Sequence, residues 1–283
     1  MKNTAAPSRL LWLDAFRGAA IAAMIFYHFG FDLSYFHVID ADFNTSPLLC
    51  ALRIPIITSF LWISGMSLLL AHQRHEAKKN LNTALANSKR PMSHGVRHFM
   101  DSGFWRRAAT LFSCAVLVSL ASYCLFPQTW IYFGVLHCIL ISSLLAQPFL
   151  LRPKLAFAAG CGVVLLGLLF EHPFFNPRPF SWIGFVSVLP PTEDFVPIFP
   201  WFGVVLLGVA TLHLIQTRHV NVLPLQAPPI KTTETPRRVP RFLSALISRF
   251  LSLLRAMGRH SLMIYMLHQP ILMAVIGGFF ARG

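Results

Sequence analysis

Seven stretches of mostly apolar residues constrain this chain more than anything else, because each approaches the roughly 20 residues a helix needs to cross the hydrocarbon core of a bilayer. They run over residues 13–35, 54–71, 108–126, 131–150, 155–170, 199–215 and 257–280. Pro127, Pro153, Pro173 and Pro197 fall in the turns between them, where a fixed φ and a missing N–H end one helix and start another. Only 12% of the residues are charged, about half of what a water-facing globule carries. Lipid must therefore face much of the chain. The expectation is an all-α, polytopic transmembrane helix bundle of about seven spans, a single domain over residues 1–283, with polar inner loops at 72–107 and 217–256.

Charge sets the orientation. With the N-terminus in the cytoplasm, the inner segments 1–17, 72–107, 151–154 and 217–259 hold 21 of the 24 Lys and Arg residues, and the outer ones keep only Arg53, Arg178 and Arg282. Such a bias is the positive-inside pattern, and it places the C-terminus outside. A net charge of +14 invites a nucleic-acid reading, but basic residues gathered in loops rather than on one face argue against it. The five cysteines form no CxxC pair, so neither a metal site nor a disulfide framework is indicated. Asp14 and Arg17 interrupt the first apolar stretch and no small-residue cleavage site follows it, which reads as a retained span rather than a signal peptide. From Arg241 to Arg255, apolar residues recur at helical spacing between arginines. This segment either lies flat on the inner leaflet or belongs to a longer, kinked final helix.

Ionisable groups inside a span are expensive unless paired or wet, so each is a functional suspect. Span one holds Asp14, Arg17, His28 and Asp32. Asp14 and Arg17, three apart on one face, form either a local ion pair or an inward-pointing phosphate site. His28 and Asp32, four apart, match a base held by its orienting carboxylate, or else His28 is an interfacial histidine reaching water. His137 lies near the outer end of the fourth span. The last stretch reads Gly258-Arg259-His260-Ser261, then Tyr265, His268, Gln269 and Pro270, with Ser261, Tyr265 and His268 on one face. Three spans that each offer a histidine point to one wet polar cavity. Trp182, Glu193 and Asp194 in the outer loop 171–198 are either interfacial anchors or the mouth of a sugar site.

Arg9-Leu-Leu-Trp-Leu-Asp14-Ala-Phe-Arg17-Gly18, with His28 eleven residues after Arg17, resembles the opening signature of membrane-bound acyltransferases. Phe60-Leu-Trp-Ile-Ser-Gly65, Phe133-Gly-Val-Leu-His137, Phe199-Pro-Trp-Phe-Gly203 with Leu207-Gly208, and Gly258-Arg-His-Ser-Leu-Met-Ile-Tyr265-Met-Leu-His268-Gln269-Pro270 are similar to the bacterial branch of the heparan-alpha-glucosaminide N-acetyltransferase family. The resemblance covers nearly the whole chain except the two inner polar loops. It implies a multi-pass enzyme of the bacterial inner membrane that takes an acetyl group from cytoplasmic acetyl-CoA. The acceptor is an amino sugar or related envelope glycan on the outer face, and a histidine is the catalytic group. His28 matches that histidine best, with His37 as the other candidate.

On this reading Arg17, Asp14, Arg259 and His137 bind the donor, and His28, Asp32, His268 and Tyr265 are catalytic, with Tyr265 or His268 as oxyanion donor. Direct transfer and an acetyl-histidine relay both remain open, and no metal is called for. Lipids are further partners, and a homodimer is one assembly to test. The rivals are a proton-coupled transporter or flippase, whose relay would use the same His and Asp residues, and a non-catalytic membrane scaffold.

Overall fold

In the computed structural model the described residues are 10–43, 46–87, 102–221 and 241–280. Among them every regular element is helical: α1 Leu11–Tyr35, α2 Pro47–Asn87, α3 Ser102–Leu125, α4 Val135–Leu145, α5 Pro153–Leu169, α6 Arg178–Ser181, α7 Ile198–Asn221, α8 Arg241–Arg259 and α9 Ser261–Phe280. All seven apolar stretches thus contain helix. Four helices are long and apolar enough to cross a membrane, over Pro47–Leu81, Gly103–Leu125, Ile198–Arg218 and Ser261–Phe279. Helix α1 has the length, with 25 residues, but Asp14, Arg17, His28 and Asp32 lower its hydropathy. Helix α5, at 17 residues, extends about 25 Å at 1.5 Å per residue.

The fourth stretch departs from expectation. Instead of one helix over residues 131–150, α4 has 11 residues and reaches only about 16 Å. Gly134 precedes it, and a 3₁₀ turn at Gln147–Phe149, with Pro148 in its first positions, follows it. The inner loop 72–107 also differs. Helix α2 continues to Asn87 because the run after Leu70 is rich in Ala, Leu, Lys, Glu and Gln and meets no proline before Pro91. Residues 88–101 and 222–240, which fall within the two expected inner loops, lie outside the described residues. The Arg241–Arg255 segment belongs to α8, a helix of its own that a turn at His260 separates from α9.

The chain divides into two compact units. One holds residues 61–212. Its core is built where α2 meets α7: Leu61, Met66, Leu69, Val205, Leu206, Val209 and Leu212 are buried. At that crossing a side chain on Gly65 would collide with the Val205 carbonyl, and one on Gly208 with the Trp62 carbonyl. Trp62 Nε1 donates to Thr211 Oγ1 at 3.2 Å. On α7, Gly203 faces α5, where an added Cβ would lie 2.6 Å from the Gly160 carbonyl oxygen. Small residues at helix crossings are the usual membrane solution, since lipid removes the hydrophobic drive between helices and leaves close packing to hold them.

The same unit contains α4, whose first N–H groups need partners that Gly134 cannot supply. Val135 N–H donates to Asp194 Oδ2 at 2.9 Å, and Gly134 N–H donates to His137 Nδ1 at 3.2 Å. A carboxylate from a distant loop therefore caps the helix. Replacing Asp194 with alanine is expected to destabilise the protein by about 1–2 kcal/mol, read as a lower denaturation midpoint in detergent. Asparagine at that position should recover part of the loss.

The second unit comprises residues 10–60 and 213–283. Here α1 packs against α8 and α9. Leu13, Ala20, Ile21 and Met24 on α1 are buried. Gly18 meets the Leu254 carbonyl and Gly258 meets the Asp14 carbonyl so closely that a Cβ on either would overlap the facing backbone.

Candidate functional site

The polar residues of α1 fall into two groups on the second unit. Near the helix start, Arg17 Nη1 donates to Asp14 Oδ1 at 3.1 Å and to the Gly258 carbonyl at 3.2 Å. Of the two readings of Asp14 and Arg17, the ion pair is present. It extends across to α8, where the carbonyl end of a helix favours a cation. Arg259 is exposed at the end of α8, one residue beyond the carbonyl that Arg17 holds.

About three turns further along α1, the His28 ring lies 5.0 Å from the His268 ring, centroid to centroid, at 60°. Tyr27 and Phe31 flank His28 edge-on at 5.8 and 6.5 Å, so the imidazole pair sits in an aromatic wall. Of the three histidines expected at one cavity, His28 and His268 come together here across α1 and α9.

His268 has its tautomer set by its own helix. Nδ1 lies 2.7 Å from the Tyr265 carbonyl oxygen. A carbonyl only accepts, so Nδ1 carries the hydrogen and Nε2 presents a lone pair. Among the described residues Nε2 is buried and has no hydrogen-bond partner. The neutral ring can accept a proton at Nε2 but cannot donate one there. The expected oxyanion role for His268 does not suit this tautomer, whereas a base role does. Tyr265 packs its ring 5.7 Å from that of His268. Pro270 lies inside α9 just beyond the pair and removes a backbone donor beside it.

Asp32 is fully buried, 0% exposed, but it does not orient His28. Its Oδ1 accepts from Gln269 Nε2 at 2.7 Å, and among the described residues His28 Nδ1 has no partner. The i,i+4 spacing put Asp32 on the face of His28, and α9 then supplied a better placed amide donor than the imidazole of the same helix. Gln269 is the residue to which sequence reasoning assigned no role. The available signal was an amide in an apolar span, directly after a histidine.

His137 belongs to the first unit. Nδ1 accepts from Gly134 N–H, and Nε2 lies 3.4 Å from Ser119 Oγ, whose hydroxyl donates to the Ile131 carbonyl at 2.6 Å. Both ring nitrogens are thus engaged by protein groups. His37 is exposed in the turn after α1 at φ 57°, and its N–H donates to the Ser34 carbonyl at 2.9 Å. This is a left-handed helix-ending position. Among the described residues no cluster of His, Cys, Asp and Glu could hold a metal ion.

Comparison with curated proteins and with solved structures finds no match. A family model does match. The model describing the catalytic domain of heparan-alpha-glucosaminide N-acetyltransferase aligns with residues 9–270, a range that takes in both polar groups of α1 and the residues of α9 that face them. With the model covering nearly its whole length, the chain belongs to the heparan-alpha-glucosaminide N-acetyltransferase catalytic-domain family.

Proposed function

We propose that the protein moves an acetyl group from cytoplasmic acetyl-CoA to an amino sugar or related glycan on the outer face of a bacterial inner membrane. Family membership implies an acetyltransferase, and four helices fit a membrane enzyme. The donor, the acceptor and the histidine chemistry go beyond family membership. The histidine chemistry rests most on one observation: two half-buried imidazoles with rings 5.0 Å apart, one presenting a buried Nε2 lone pair that has no partner among the described residues.

The arrangement supports general-base transfer. The acceptor's amine or hydroxyl attacks the thioester carbonyl, a histidine of the pair takes the acceptor's proton, and the tetrahedral intermediate expels the CoA thiolate, which leaves as the thiol once protonated. In the relay version His28 first takes the acetyl group and then yields it to the acceptor. Tyr265 is the side chain of this group suited to donate to the oxyanion, because neutral His268 has no N–H on its open side. The N-terminus lies in the cytoplasm on this reading, given the 21-to-3 partition of basic residues. Arg17 and Arg259, beside the α1–α8 junction, then meet the CoA phosphates, with Asp14 holding the Arg17 guanidinium in place.

The deciding measurement is acetyl-CoA binding and turnover by the detergent-purified protein. Saturable binding with release of free CoA thiol, accelerated by an amino sugar, is the expected result. Folded protein that neither binds acetyl-CoA nor turns it over would remove the enzyme. Proton-coupled uptake in liposomes would then become the leading reading.

A further inference from the structure

One polar contact between α1 and α9 has no part in the histidine chemistry, and it joins the buried Asp32 carboxylate to the Gln269 amide. A carboxylate accepts only, so the amide nitrogen must face it and the amide oxygen must point away. Among the described residues, the second carboxylate oxygen, Asp32 Oδ2, and Gln269 Oε1 are both buried and accept no hydrogen bond. With His268 Nε2, whose tautomer leaves it a lone pair, the two helices present three buried acceptors. Among the described residues the one other buried, unpartnered polar atom beside them is His28 Nδ1, a single ring nitrogen that cannot serve all three. Such a set is costly to leave unsatisfied in an apolar surround. It asks for a ligand that brings hydrogens.

Spacing says where those hydrogens must be. His28 and Asp32 are four residues apart on α1, about 6 Å along the axis, and their α9 partners, His268 and Gln269, are adjacent in sequence. A group reacting at the histidine pair therefore has Asp32 and Gln269 within a few bonds of it. We infer that Asp32 and Gln269 form a recognition pair for the acceptor. Their free oxygens accept hydrogen bonds from a hydroxyl or ammonium group adjacent to the one acetylated. This rests on the acyl-transfer reading and adds a division of labour to it. The histidines handle the proton, while the Asp32–Gln269 pair selects acceptors that carry two neighbouring donors. Gln269 also positions the carboxylate by holding Oδ1, which leaves Oδ2 for the ligand.

Two small amines test it: trans-2-aminocyclohexanol, which has a hydroxyl beside the amine, and cyclohexylamine, which lacks it. Binding of each to the full-length protein in detergent is measured by titration calorimetry, for wild type, Gln269→Leu and Asp32→Asn, with thermal melts to establish folding. The wild type should bind the amino alcohol about 10- to 100-fold more tightly, the range expected when one hydrogen bond to a buried charged group is gained. Both variants should bring the ratio to within about twofold of one. Equal binding of the two amines by wild type overturns the inference, as does a ratio preserved in either folded variant. Binding of neither amine overturns it as well. Acetyl-CoA turnover on the same samples separates this result from the parent reading, since a ratio that behaves as expected in protein without turnover would sink the transferase and keep the recognition pair.

Discussion

Replacing His28 with alanine is expected to lower acetyl-CoA turnover by about 10³-fold, while donor affinity stays within about twofold of wild type. The magnitude is that of removing a positioned general base or nucleophile. Donor affinity should survive because the residues read as phosphate-binding, Arg17 and Arg259, lie toward the other end of α1, at the α1–α8 junction. The ring contact with His268 adds a second expectation. His268→Ala should cause a loss of similar size, and the double variant should be little worse than either single one, because groups acting as a unit are not additive. A fully active His28→Ala with an inactive His268→Ala would move the base to His268 alone, a role its tautomer permits. Radiolabelled acetyl-CoA then separates the two routes: a histidine-bound acetyl group on wild type that is missing in His28→Ala marks the relay.

How much of this was legible in the residues varies with the kind of contact. Apolar runs give helices because the pattern is local, and α1, α3, α7 and α9 fall where the hydropathy puts them. Helix α4 could have been trimmed from the sequence as well, for Gly134 and Pro148 bracket it, but a window average hides both. The site shows the same split. His28, Asp32 and His268 stand out because a span tolerates few such groups, and Asp14–Arg17 is an i,i+3 pair on one helix. Helical spacing only tells which residues share a face. It cannot tell that the partner of Asp32 is Gln269 and not His28, or that Arg17 also reaches the Gly258 carbonyl. Those partners depend on how α8 and α9 are rotated against α1. For α8 the close approach falls at Gly18 and Gly258, two positions that carry no side chain to read.

Those two glycines carry the largest expected effect on stability. At Gly258 a Cβ would overlap the Asp14 carbonyl, and at Gly18 it would overlap the Leu254 carbonyl. In both cases the obstacle is backbone of a packed helix rather than the movable end of a side chain. Alanine at either position must push α8 off α1, which loses the close contact along the junction and stretches the Arg17 bond to the Gly258 carbonyl, 3.2 Å in the native packing. Overpacking of this kind costs about 3 kcal/mol, and the helix propensity gained in replacing glycine returns only about 1 kcal/mol. Gly258→Ala and Gly18→Ala should therefore lower the denaturation midpoint clearly, and Gly258→Leu should prevent the second unit from folding. Gly162→Ala is the matched control. It also lies within a helix, α5, but a Cβ there meets nothing within 4 Å, so it should leave stability unchanged or raise it slightly. If Gly258→Ala melts like Gly162→Ala, the α1–α8 junction is looser than its backbone contacts require. Arg17 would then be free to swing away from Gly258, and its proposed work on a phosphate would no longer depend on the packing of α8.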